Sequence, residues 1–446
     1  MKTKKISRID IIIFFCLFYP ILPVYAKIAS INLRNLLCLI FVAVSLFYIG
    51  RNVSLPSKNI WTSVCFLIWI IGRSIQDISS GFFLEGFYFL LLTIVSFICL
   101  YNLIKNHNDF LIALKTILIG ASLVSILGIF EEITRVNVFS FLNTDYELIY
   151  NPLRFGLLRI LGFSQHTIAH GVYVMFMMSI CMYMWQFVNK KTEKFFIITI
   201  YSLLCINLLL TLSRSIIICT IASQFLILYM MGARKLFKMI FKTIIFIIPI
   251  LFIVTLFIPA LGKTIKYGFL MIAALFDSKV ASSISSAFGN DNLMGVGNRF
   301  DLYGWVSEKM AGHWLFGHGL YADFSYSFTQ SNGFYSWIQT KDSIEVEYLN
   351  TLYQFGIFGM MTEVLSFLSV LGLNIKKYSS KLFFEKKISF NKIAFITLIF
   401  YYLQLFAVNQ SSDKYVFYIF VMFTIIYNGR VAQEKKNRKG ILLYDY

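Results

Sequence analysis

The sequence predicts an all-α, polytopic integral membrane protein of about 12 transmembrane helices, with one large helical loop on its outer side. Three observations predict it. Of 446 residues, 58% are hydrophobic and only 14% charged, and mean hydropathy is +0.72, where a soluble domain carries about a quarter charged residues. The apolar residues fall into runs of about 20, long enough to cross a bilayer as helices. The basic residues sit in and beside the connections between runs, with an alternation that follows the helix count.

Taken in order, the runs lie near residues 9–26, 33–50, 60–76, 82–104, 109–131, 166–188, 195–212, 214–231, 240–260, 348–372, 392–410 and 414–429. The first follows Lys2 to Arg8 and ends Val24-Tyr25-Ala26, so it imitates a secretory signal. With so many spans behind it, it is read as an uncleaved helix. Residues 1–260 therefore hold nine spans and an outer loop at 132–165. Residues 261–347 form the large loop, 348–429 the last three spans and 430–446 a tail. Within the large loop, 263–276 and 298–314 have helical spacing of apolar residues, and 277–297 reads as a flexible connection. Connections this long are functional or disordered in compact proteins, and these two are rich in aromatic and charged residues, so they are expected to fold together over the bundle.

With the N-terminus inside, the tails and even-numbered connections hold 26 of the 40 Lys and Arg, although the outer connections are longer. Both termini are thus predicted cytoplasmic. The net charge of +18 is spread over these juxtamembrane positions, which excludes a nucleic-acid partner. All seven cysteines fall inside apolar runs, so neither a disulfide framework nor a thiolate metal site is implied.

Chemistry is expected on the outer face. Arg214, in Thr211-Leu212-Ser213-Arg214-Ser215, sits in a hairpin with almost no loop; it is either a snorkelling interfacial residue or an anion site, since its planar fork matches phosphate oxygens. Arg154, Arg159 and Arg299 also face outward, where positive charge is normally depleted, and are either solvated loop charges or ligands of an anionic substrate. Glu345 and Glu347, with Asp342 near, close the large loop and serve either as helix-dipole caps or as an acid or base. His166 and His170 share a helical face, but no HExxH pattern accompanies them; His313 and His318 lack a carboxylate or thiolate at ligand spacing, so no metal is assigned. The aromatic run Tyr321, Phe324, Tyr326, Phe328, Phe334, Tyr335 and Trp337 is either an interfacial belt or a platform for sugar rings. Glu85, Arg73, Glu131 and Glu132 are the charges a transporter would need, yet most lie near the interfaces rather than the midplane.

In order and membrane placement, four of these segments resemble the bacterial O-antigen polymerase and ligase superfamily. They are Arg159-x-x-Gly162-Phe163 before a span, the Leu212-Ser213-Arg214-Ser215 turn, Arg299 with Trp305 and Phe316-Gly317-His318-Gly319, and Glu347-Tyr348-Leu349-Asn350 through Gly356-Ile357-Phe358-Gly359. The resemblance implies a metal-independent, cofactor-free membrane glycosyltransferase of the bacterial inner membrane, acting at its periplasmic face on undecaprenyl-diphosphate-linked glycan. Ligases of the superfamily carry a histidine where this chain has Glu345, which tilts the resemblance to a polymerase of O-antigen or capsule repeats; a ligase that loads lipid A core, or a flippase, are the alternatives. It further implies catalytic roles for Glu345, Arg214 and Arg299, and substrate contacts from Arg154, Arg159, His318, Tyr321, Trp337 and Glu347. Implied partners are membrane lipid, a chain-length regulator and a flippase.

Overall fold

The computed structural model describes residues 7–23, 25–28, 31–50, 94–142, 153–154, 157–164, 166–232, 297–319, 322–331, 336–342, 346–375, 388–405 and 415–431, with isolated positions at 53–54, 71, 238–249 and 344. Apart from these isolated positions, the expected spans at 60–76 and 240–260, the start of that at 82–104, and the loop stretch 261–296 lie outside the described residues.

Among the described residues the chain is mostly helical: α1 (Arg8–Phe18), α2 (Leu33–Ile49), α3 (Ile94–Leu103), α4 (His107–Thr134), α5 (Thr167–Trp185), α6 (Lys191–Leu210), α7 (Arg214–Met230), α8 (Gly297–Lys309), α9 (Glu347–Ile375), α10 (Phe390–Leu405) and α11 (Tyr415–Ile426). Among the described residues three helices, α4, α5 and α6, are long and apolar enough to cross a membrane. The helices at the expected spans 33–50, 109–131, 166–188, 195–212, 214–231, 348–372, 392–410 and 414–429 stand within a few residues of those ranges. The run at 9–26 does not. Its helix has only 11 residues, about 16 Å at 1.5 Å per residue, because Pro20 and Pro23 have no N–H to continue the ladder. The chain instead turns into a short antiparallel ladder, β1 (Lys27–Ile28) with β2 (Ile31–Asn32). A second such ladder, β3 (Leu153–Arg154) with β4 (Leu157–Leu158), lies in the loop before α5.

Helix α5 is the axis of the bundle, buried at every position from Thr167 to Met184 and packed on α4, α6, α7 and α10. Phe176 meets Tyr401 and Phe420 at ring-centroid distances of 5.4 and 4.6 Å. Ser179 Oγ receives hydrogen bonds from Thr397 at 2.8 Å and from Gln224 Nε2 at 3.0 Å. These bonds tie α10 and α7 to α5 where no water competes, so a lone hydroxyl in the core keeps its partners.

The bundle has two distinct ends. One is closed by Arg8 to Asp109 at 3.0 Å, His107 to Tyr183 at 3.1 Å, the Ile388 N–H to Gln186 Oε1 at 2.6 Å, and the Arg430 guanidinium 4.3 Å from the Tyr101 ring centroid. The other gathers the end of α4, residues 159–163, the α6–α7 turn and the start of α9, whose Tyr348 hydroxyl donates to the Tyr402 carbonyl at 3.0 Å. The ends that charge counting assigns to one side thus lie together.

The loop over this second end is not purely helical, which corrects the all-helical expectation. α8 replaces the expected helix at 298–314 and stops at Lys309. Beyond it, β5 (Tyr326–Ser331) pairs antiparallel with β6 (Ser336–Lys341) in register from Tyr326 opposite Lys341 to Ser331 opposite Ser336. Tyr, Phe, Thr, Trp and Ile suit a pleated surface, and Asn332-Gly333 is a turn signal between them. Leu302 and Val306, on one face of α8, and Met310 just past its end are buried against Phe324, Ile344, Val346, Leu349 and Tyr353. That small core seats the loop on the first turns of α9.

Candidate functional site

The candidate site has three parts: the hairpin between α6 and α7, the joint of the large loop with α9, and the carboxylates of α9. α6 ends at Leu210 and α7 begins at Arg214, so Thr211 to Ser213 make the entire hairpin. Leu212 adopts φ 50°, a left-handed conformation that strains a side-chain-bearing residue by about 1–2 kcal/mol. Ser213 caps α7 without a side-chain hydrogen bond, so the N–H groups and positive dipole end of the helix are left for another acceptor.

Arg159 is held against this turn. Its Nε–H donates to the Thr211 carbonyl at 3.1 Å, and the Ile160 N–H donates to the Leu210 carbonyl at 3.3 Å. Its two terminal amino groups have no partner among the described residues. Burial lowers its pKa from the ordinary arginine value. The segment that carries it is pinned from the far side. Both oxygens of the buried Glu131 carboxylate accept backbone N–H groups, of Leu161 at 3.1 Å and of Gly162 at 2.9 Å. The Asn137 side chain donates to the Gly162 carbonyl at 2.8 Å. Gly162 has φ +57°, and the His170 ring occupies the space a Cβ would need.

The second part interlocks the large loop with a broken helix. α9 is interrupted at Gly356, φ 64°, which frees carbonyls on one side of the break and N–H groups on the other. The loop 313–319 answers both. The His318 and Gly319 N–H groups donate to the Tyr353 and Gln354 carbonyls at 2.8 and 2.9 Å, while Ile357 and Phe358 N–H donate to the Trp314 and Leu315 carbonyls at 2.8 and 3.1 Å. A Cβ at Gly317 would run into the Gln354 carbonyl, and one at Gly356 into that of Leu315. Only glycine at both positions allows the approach. His318 belongs to this joint: Nε2 bonds the Lys309 carbonyl at 2.9 Å, and the ring lies between His313 and Tyr353 at centroid distances of 4.1 and 4.5 Å.

The third part is acidic. Glu347 opens α9 and is buried. Across the break, Thr351 Oγ1 donates to Glu363 Oε2 at 3.0 Å, in a buried setting that joins the two halves of α9. Both carboxylates lie within electrostatic reach of Tyr348 and Tyr401.

Of the residues given a catalytic or substrate role from the sequence, Arg159, His318 and Glu347 are placed with their side chains. Arg154 is in β3, Arg214 opens α7, Arg299 is in α8 and Trp337 in β6, and the side chains of these four are outside what the structure describes. Glu345 and Tyr321 lie outside the described residues. Asp342 is exposed. His166 and His170 do not form a pair of ligands: His166 caps α5 by accepting the Ile168 N–H at 3.2 Å, and His170, fully buried, bonds Asn207 Oδ1 at 3.2 Å. Among the described residues no group of three His, Cys, Asp or Glu could hold a metal ion. Phe324 is core rather than belt or platform, at 5% exposure, and Tyr326 stacks on Trp305 at 4.7 Å. Glu131 and Glu132 are both buried. Glu132 pairs with Arg135 at 3.4 Å, and Glu131 holds backbone. Sequence reasoning missed Glu363; a carboxylate inside an apolar span was the signal that could have found it.

Fold and site define a membrane protein in which arginine-bearing turns and a folded loop meet at one end of a helical bundle. Residues 197–362 match the family model described as O-Antigen ligase, and with this match the resemblance to the O-antigen polymerase and ligase superfamily stands. The matched segment runs from α6 through the Thr211–Ser213 turn and the large loop to Thr362, just past the interlock at Gly356. It supports a glycosyltransferase-like function of the O-antigen ligase or polymerase type, acting on lipid-linked glycan at a membrane. No curated protein matches the chain.

Proposed function

We propose that the protein polymerises undecaprenyl-diphosphate-linked oligosaccharide repeats into O-antigen or capsular polysaccharide, at the periplasmic face of the inner membrane and without a metal ion. A sugar hydroxyl of one lipid-linked repeat attacks the anomeric carbon of the growing chain. The bond from that carbon to the diphosphate oxygen breaks, and undecaprenyl diphosphate leaves. Arg214 and Arg299 neutralise the charge gathering on the leaving group, with Arg154 and Arg159 holding the diphosphate. Glu345 accepts the hydroxyl proton. Tyr321, Trp337, His318 and Glu347 line the path of the glycan.

One observation carries this reading. Arg159 is fixed by its Nε–H on the carbonyl of the turn from which α7 starts without a side-chain cap. A half-bonded guanidinium beside open helix N–H groups is a fitting receptor for a diphosphate. Glu345 in place of the ligase histidine favours polymerisation. The description of the matched family favours a second reading, transfer of finished glycan to lipid A core. Surface glycan in cells lacking the protein separates them: single repeats on lipid A core support polymerisation, and complete absence of glycan replaces it with ligation. A chain-length regulator and a flippase are the expected partners.

A further inference from the structure

We infer that Glu131 is a positioning residue of the diphosphate corner: its carboxylate fixes the peptide segment that carries Arg159. This rests on the reading of Arg159 as a diphosphate ligand. Glu131 is 1% exposed, and a buried carboxylate at the end of a membrane helix is costly unless its oxygens are satisfied. Here both are, by the N–H groups of two successive residues, Leu161 and Gly162. A carboxylate that accepts two successive backbone amides sets the position of the chain segment that carries them. That segment begins two residues earlier with Arg159.

Other contacts hold the same segment. The Ile160 N–H is fixed on α6, Asn137 holds the Gly162 carbonyl, and Phe163 is buried against Tyr173 at 4.8 Å between ring centroids. His170 closes the space above Gly162 and is itself held by Asn207, whose Nδ2 donates to the Ser125 carbonyl at 2.8 Å on the same helix as Glu131. Contacts thus run from α4 to the arginine segment, and the one that joins a carboxylate to two successive N–H groups of that segment is Glu131. With it in place, Arg159 reaches the Thr211 carbonyl with Nε and keeps its terminal amino groups for an anion. Without it, residues 159–162 lose the acceptor of two N–H groups, and the guanidinium has no fixed distance from the start of α7.

The test uses the full chain in lipid nanodiscs and undecaprenyl diphosphate itself as the probe. Glu131→Gln keeps the shape but offers one acceptor instead of two charged ones. Its Kd should rise about tenfold or more at normal folded yield. Arg159→Ala should lose as much, and the double variant Glu131→Gln/Arg159→Ala should bind no worse than Arg159→Ala alone, because both changes remove the same contact. A merely structural carboxylate would give losses that add, and additivity overturns the inference. So does unchanged affinity in Glu131→Gln when Arg159→Ala has lost binding, which leaves the functional reading intact. Wild-type protein that does not bind the probe overturns both. Should Glu131→Gln not fold, Glu131→Asp, with the carboxylate one methylene shorter, takes its place with the same expected loss; failure of both variants to fold makes Glu131 a folding residue and overturns the inference.

Discussion

A guanidinium presents its donors in a fixed planar fork, whereas an ammonium is a rotating point charge. At Arg214 and Arg299, lysine should therefore not restore function that alanine removes. The measurement is glycan length on cells with normal protein level, and normal long-chain glycan in Arg214→Ala and Arg299→Ala would take both residues out of the site. Glu345→Gln retains hydrogen bonding without basicity. It should lower the transfer rate about 10²–10⁴-fold, leaving lipid-linked single repeats to accumulate. If Glu347→Gln alone has this effect the base is the neighbour, and if both are silent neither carboxylate takes the proton. Asn207 works structurally. It is fully buried, bonds His170 and donates to the Ser125 carbonyl, so Asn207→Leu strands both partners and should cost about 1–3 kcal/mol, read as lower thermal stability.

The joint between the large loop and α9 is an element-scale device. A broken membrane helix exposes polar backbone that lipid cannot satisfy, and the four hydrogen bonds from residues 314–319 to residues 353–358 restore the partners. Gly317 and Gly356 have φ of 70° and 64°, and each leaves no room for a methyl group. Gly317→Ala and Gly356→Ala should each cost about 1–3 kcal/mol in backbone strain alone and open the joint, seen as faster proteolysis of the loop. Gly304 is the internal control. It lies within α8 with nothing within 4 Å of the place an alanine methyl would take, so Gly304→Ala should stabilise α8 by about 0.5–1 kcal/mol. Equal protease sensitivity of all three variants would contradict such a joint.

Across the whole molecule the division into two ends should coincide with the two sides of the membrane. A reporter fused at Asp291 should behave as periplasmic and one at Lys381 as cytoplasmic, because the basic residues divide 26 to 14 between the connections. Both reporting one compartment would mean a span miscounted between them. The polar contacts repeat the division. Arg8, Asp109, His107, Gln186 and Arg430 close one end, and Glu131, Arg159, Thr211 and Tyr348 gather at the other.

The sequence by itself determined what depends on neighbouring residues. Hydropathy located α2, α4 to α7 and α9 to α11, because each apolar run must satisfy its own backbone in lipid, and the lack of spacer between two runs located the Thr211–Ser213 hairpin. Proline at 20 and 23 is an equally local signal, and it makes the first helix shorter than hydropathy alone suggests. The alternating residues of the β5–β6 hairpin are legible too, but their aromatic content reads equally well as a belt. What only the tertiary structure decided is which distant polar groups meet: Glu131 with Leu161 and Gly162, Arg159 with Thr211, Gly317 with Gly356, and Thr351 with Glu363 across a helix break. Such pairs join different elements or opposite sides of a break, and they leave no periodic trace, because a hydrogen bond constrains two positions and not the pattern between them.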